Sequence, residues 1–178
     1  MKRNFPLNQD RYLENLTNES HLQNGVCFAM TQDWLMNEMS ATRKDKQYYK
    51  EVHRFFSRQR AYCEFTWLTL GQMLVLKSDR YKSTDEKLLR CYEGQRIHQD
   101  NKNGFYFVAV VNDVDFFHCI GVSVNQKTYR VFDANYGEFE CFSHNEEESK
   151  LKLRSWIMEK YHSRKNAPYL TIARLSPK

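Results

Sequence analysis

The chain has 178 residues, 41% hydrophobic and 15% aromatic with 28% charged, the balance of a soluble globular protein large enough for one core and, by default, one domain. A net charge of +5 without an RNA- or DNA-binding signature gives no ground to expect nucleic acid, and leaves an acidic protein or an anionic membrane surface as candidate partners. Apolar runs such as Phe105 to Val111 fall far short of the roughly 20 residues a membrane-spanning helix needs, and the start Met1-Lys2-Arg3-Asn4-Phe5-Pro6 lacks the apolar stretch of a cleaved secretory signal.

Residues 1–22 are polar and are expected to hold little order. Asn24-Gly25 marks a helix start, after which Cys27-Phe28-Ala29-Met30, Trp34-Leu35-Met36 and Met39 put apolar residues on several sides of a central, buried helix. From Lys44 to Arg60 the spacing predicts an amphipathic helix, with Tyr48, Val52, Phe55 and Phe56 inward and Lys46, Lys50, Arg54 and Arg58 on the other face. That basic stripe reads as a solvated face, or as a contact for an acidic or membrane partner. Ala61 to Leu76 is apolar and ambiguous between helix and strand, and Asp85 to about His98 reads as helix capped by Ser83 or Thr84.

From Phe105 the period changes to two. Phe105 to Val111, Phe116 to Val124, Tyr129 to Asp133 and Glu138 to Phe142 are short aromatic and β-branched runs between turns, the pattern of antiparallel strands. Asn145 to about His162 returns to helix, and Pro168 to Leu175 makes a last strand. Helices first and a sheet after imply an α+β domain.

The five cysteines (Cys27, Cys63, Cys91, Cys119, Cys141) are irregularly spaced with no CxxC pair, which favours reduced thiols and gives no metal site. Cys27 alone directly follows a helix start, where the positive end of the macrodipole and unpaired N–H groups lower a thiol pKa. The N–H of Cys27 could also stabilise an oxyanion there, with the amide of Gln23 or Asn24 as a side-chain donor. A thiolate nucleophile needs a histidine and a group that orients it. His118 breaks an otherwise apolar face shared with Phe116, Ile120, Val122 and Val124. A symmetric hairpin through Asn125-Gln126-Lys127-Thr128 sets Val124 against Tyr129, Val122 against Val131 and Ile120 against Asp133. His118 and Asp133 are then diagonal neighbours at about 7–8 Å, with Asn135 opposite His118 as a further orienting candidate. Taken singly, Cys27 reads as a small buried hydrophobe, His118 as a satisfied core residue and Asp133 as the start of a turn; their joint order and parity favour chemistry.

Gly25-Val26-Cys27 followed by Trp34-Leu35, then His118-Cys119-Ile120-Gly121-Val122, then Phe132-Asp133-Ala134-Asn135-Tyr136-Gly137-Glu138-Phe139 resemble the YopT and AvrPphB group of bacterial effector peptidases. The resemblance implies a papain-like α+β fold, with the nucleophile-bearing helix packed on an antiparallel sheet. It also implies Cys27 as nucleophile, His118 as base and then acid, and Asp133 as orienter. Where the family usually reads Asp-Pro-Asn this chain has Asp133-Ala134-Asn135, and the family's oxyanion amide lies slightly upstream of Gln23 and Asn24. The expected activity is cleavage of a host-cell protein after export without a cleaved signal, or otherwise action in the cytoplasm, with no cofactor or metal required. Glutamine deamidation or transglutaminase-like acyl transfer by the same triad is the alternative, and docking through the basic stripe without catalysis is another.

Overall fold

The computed structural model describes residues 1–14, 25–42, 44–63, 81–90, 103–111, 117–125, 128–142, 146–161 and 169–177. In chain order these form β1 (Lys2–Phe5), α1 (Gln9–Leu13), α2 (Cys27–Met39), α3 (Lys46–Lys50), a 3-10 turn (Val52–Phe55), α4 (Phe56–Cys63), β2 (Tyr81–Arg90), β3 (Gly104–Val111), β4 (Phe117–Asn125), β5 (Thr128–Asp133), β6 (Gly137–Phe142), α5 (Glu146–Tyr161) and β7 (Tyr169–Pro177). The strands make one sheet in the order β1-β6-β5-β4-β3-β7-β2, with antiparallel neighbours throughout.

Alternation along each strand divides the core in two. Phe107, Ala109, Cys119 and Phe132 face α2, whereas Val108, Val110, Ile120 and Val131 face Leu153, Trp156 and Ile157 of α5. α2 is buried continuously from Cys27 to Leu35, Thr31, Gln32 and Asp33 included, in line with apolar residues on several of its sides. Each large apolar side chain enclosed this way contributes on the order of 1.5–3 kcal/mol.

Two contacts set where α2 lies. Trp34 rests on the backbone of Gly121, where a Cβ would come within 2.8 Å of the indole, and it stacks on Phe132 at 5.7 Å. Its Nε1 donates to Glu138 at 2.9 Å; Glu138 also accepts from Asn4 at 3.0 Å and from Arg130 at 2.7 Å, and Arg130 makes a second ion pair with Glu38. Burial opposes ionisation of Glu138, but these donors outweigh it and hold its carboxyl below the usual range. The C-terminal half of α2 is thereby tied to β5, β6 and the start of the chain.

Three expectations are corrected. Lys2 to Phe5 and Gln9 to Leu13 are a strand and a helix rather than loose chain, because β1 completes the hydrogen bonding of β6 and Asn8 caps α1 by accepting from the N–H groups of Asp10 and Arg11. The helix expected over Lys44 to Arg60 breaks at Glu51, whose ψ of 63 leaves the helical region, and continues as a 3-10 turn and α4. The helix expected from Asp85 is instead β2, paired with β7 from Tyr81–Pro177 to Arg90–Tyr169, with a register shift between Thr84 and Lys87 that takes up Asp85 and Glu86. Pairing with a neighbouring strand overrides local propensity there. Most of the apolar run from Ala61 to Leu76 lies outside the described residues, α4 ending at Cys63.

At Gly137, which opens β6, φ is +103 and a Cβ would sit 2.0 Å from the carbonyl oxygen of Phe5. Gly137→Ala is therefore expected to cost about 3 kcal/mol or more, with early loss of β1, read as a fall in the urea midpoint and faster hydrogen exchange at Lys2 and Arg3.

Candidate active site

Cys27 is the first helical residue of α2, and Val26 caps the helix without a side-chain hydrogen bond. Two buried glutamines supply what the cap lacks. The Oε1 of Gln9 accepts from the N–H of Val26 at 2.8 Å, and the Oε1 of Gln59 on α4 accepts from that of Ala29 at 3.1 Å. As the first residue of α2, Cys27 has no acceptor for its N–H within the helix, the kind of donor an oxyanion can use.

The hairpin register is the one the sequence implies, with Val124 opposite Tyr129, Val122 opposite Val131 and Ile120 opposite Asp133. Across that diagonal His118 Nε2 stands 3.0 Å from Asp133 Oδ1. His118 is 2% exposed and Asp133 is fully buried, so the pair is shielded from bulk water. Asn135 does not extend the ladder opposite His118. The chain turns over residues 134–136, and this presents the N–H of Asn135 to Asp133 Oδ1 at 2.7 Å.

Cys119 and His118 lie close enough to the Cys27 thiol to govern its acidity. Donation from Cys119 is the largest influence on it and, together with the charge of His118, overcomes burial and brings the Cys27 thiol well below its ordinary value. Cys119 moves the other way: burial first, then its bond to Cys27 and the charge of that sulfur, push it well above the ordinary thiol range. Burial would also lower His118, but the charge of Asp133, followed by that of Cys27, raises it to about 10. A thiolate beside an imidazolium is the protonation state these neighbours favour.

Like Gln59, Gln9 and Tyr161 contribute to the site without a sequence signal for that role. Gln9, in a segment that reads as polar surface, is 2% exposed; besides its bond to Val26 it donates through Nε2 to Asn135 Oδ1 at 2.7 Å, and its own N–H donates to the carbonyl of Ala134 at 2.9 Å. It braces the helix start against the turn that follows Asp133. Tyr161, at the end of α5, donates its hydroxyl to Asp133 Oδ2 and stacks on the ring of His118 at 5.2 Å. The expected donors Gln23 and Asn24 lie outside the described residues.

The break at Glu51 interrupts the basic stripe. Arg54 pairs with Glu51, Arg58 reaches Asp33 at 3.5 Å, and Lys50 is half-buried, while the side chain of Lys46 is outside the description. Among the described residues no three His, Cys, Asp or Glu side chains are grouped to hold a metal, and no helix is long and apolar enough to cross a membrane.

No protein-family profile and no curated protein matches the sequence. Among solved structures the chain is similar to the Pseudomonas avirulence protein AvrPphB, with a TM-score of 0.65 and 14% sequence identity over 91% of this chain and 97% of that one. The likeness establishes the α+β, papain-like fold.

Gln9→Ala orphans the N–H of Val26 and the side chain of Asn135 together. The expected loss is about 1–3 kcal/mol from the buried N–H of Val26, with less from the half-buried Asn135, measured by urea unfolding.

Proposed function

We propose that the protein is a cysteine peptidase acting on a protein substrate through Cys27, His118 and Asp133. The observation that carries this reading is the buried pair of His118 Nε2 and Asp133 Oδ1 at 3.0 Å, set close enough to Cys27 for sulfur and imidazole to shift each other's acidity. In the proposed reaction His118 holds the proton of Cys27 and the sulfur attacks an amide carbonyl. The N–H of Cys27 faces the developing oxyanion, at the positive end of α2. His118 then protonates the departing amine, and water, deprotonated by the same imidazole, hydrolyses the thioester. Asp133 keeps the imidazole in the orientation and charge state that both transfers need.

The three sequence blocks that resemble the effector peptidases, together with the fold shared with AvrPphB, support a protein as substrate, and under this reading that protein belongs to a host cell reached after export. Mass spectrometry of candidate proteins incubated with wild type or Cys27→Ala tests the activity. New peptide termini produced by wild type alone are expected; a mass shift in an intact chain would instead indicate deamidation, and equal effects of both proteins would end the proposal.

A depressed thiol pKa means that the thiolate persists above it and is lost as pH falls through it. A raised imidazolium pKa means that the positive charge persists below about 10 and is lost above. Iodoacetamide is accordingly expected to modify Cys27 well before Cys119 at neutral pH, with an acid limb below that of an ordinary thiol, as read by peptide mapping. Equal modification of the two would count against an activated sulfur.

A further inference from the structure

The two oxygens of Asp133 have separate partners. Oδ1 faces His118 and the N–H of Asn135, at 3.0 and 2.7 Å, whereas Oδ2 accepts the hydroxyl of Tyr161. The ring of Tyr161 also lies on that of His118, tilted by 27°. One side chain from α5 thus touches both members of the pair. We propose that Tyr161 is a positioning residue of the acyl-transfer centre, one that fixes the plane of the Asp133 carboxylate and limits how tightly that carboxylate keeps the proton on His118. The inference rests on the reading of Cys27, His118 and Asp133 as the reacting group.

Two physical arguments support it. The terminal torsion of an aspartate is broad, so rotamer preference alone does not set the carboxylate plane. A donor on Oδ2 removes the freedom that the bonds to Oδ1 leave. Secondly, a hydrogen bond donated to a carboxylate spreads its charge and weakens its pull on a neighbouring cation. His118 has to release its proton to a leaving amine, so an undiluted Asp133 charge would make it a poorer acid.

A space-filling role alone would not need the hydroxyl. Tyr161 is 5% exposed and packs on Tyr136 at 6.0 Å, a setting where phenylalanine would fit equally well. Among the described residues the titratable groups that act on the trio include Cys27 from α2, Cys119 from β4 and Tyr136 from the turn after β5; Tyr136 in turn feels Lys160 and Glu159 of α5 and Asp10 of α1. Tyr161→Phe alters none of them.

The test is alkylation of Cys27 by iodoacetate across pH, followed by peptide mapping. The anionic reagent is drawn in by the imidazolium, so its rate rises as the thiolate forms and falls as His118 loses its proton. In Tyr161→Phe the alkaline limb should move upward by about one pH unit, the equivalent of one hydrogen bond to a charged group. With 3-fluorotyrosine at position 161, a more acidic donor of nearly the same shape, the limb should move downward; this variant decides the matter if Tyr161→Phe does not fold. Profiles that superimpose on wild type, or shifts of the opposite sign, overturn the role of Tyr161 whatever happens to stability. If wild type itself shows no bell-shaped profile at Cys27, the reading of the reacting group falls, and this inference with it.

Discussion

Asp133 carries a carboxylate with no solvent exposure, and such a group is tolerated only where donors enclose it, since an unpartnered buried charge costs several kcal/mol. Its partners come from different parts of the chain: His118 from β4, the N–H of Asn135 from the following turn, and Tyr161 from the end of α5. A further layer comes from α1, where Gln9 holds Asn135 and passes the restraint to the first residues of α2. Satisfying one buried acid therefore ties together a hairpin, a turn, the start of the chain and the C-terminal helix. The orientation of the His118 ring follows from that arrangement.

The sheet divides the work between its faces. α2 on one side carries the sulfur at its positive end, while α5 on the other side closes over His118 and Asp133. The two helices are anchored by different chemistry. α5 packs mainly through Leu153, Trp156 and Ile157, whereas α2 is additionally pinned by the charged cluster of Glu38, Arg130 and Glu138 and by the indole of Trp34. These half-buried ion pairs contribute little net stability, and their geometry is met in this placement of α2. The adjacent thiols of Cys27 and Cys119 show how sharply placement acts: both are buried, and their pKa values are driven in opposite directions.

Much of this geometry could be read in the amino acids themselves. The alternation from Phe116 to Val124 and from Tyr129 to Asp133, joined by a short even loop, leaves one hairpin register, and the observed pairs are those. The apolar residues on several sides of the helix after Cys27 likewise match a helix buried from Cys27 to Leu35. The misreadings share a cause. Asp85 and Glu86 look helical in isolation, yet they sit at a register shift in a strand recruited by β7; Glu51 breaks a periodic run that sequence alone extends to Arg60; and polar residues 1–13 gain order only because β6 and the turn at 134–136 offer them partners.

What the sequence by itself determined is therefore whatever depends on periodicity and near neighbours: the α+β class, the β4–β5 register and the shared face of His118 and Asp133. Only the tertiary structure decided that Gln9, Gln59 and Tyr161 complete the candidate centre and that Asn135 acts through its backbone. Their bonds span long separations along the chain, and a polar side chain carries no local mark of the distant partner that will bury it.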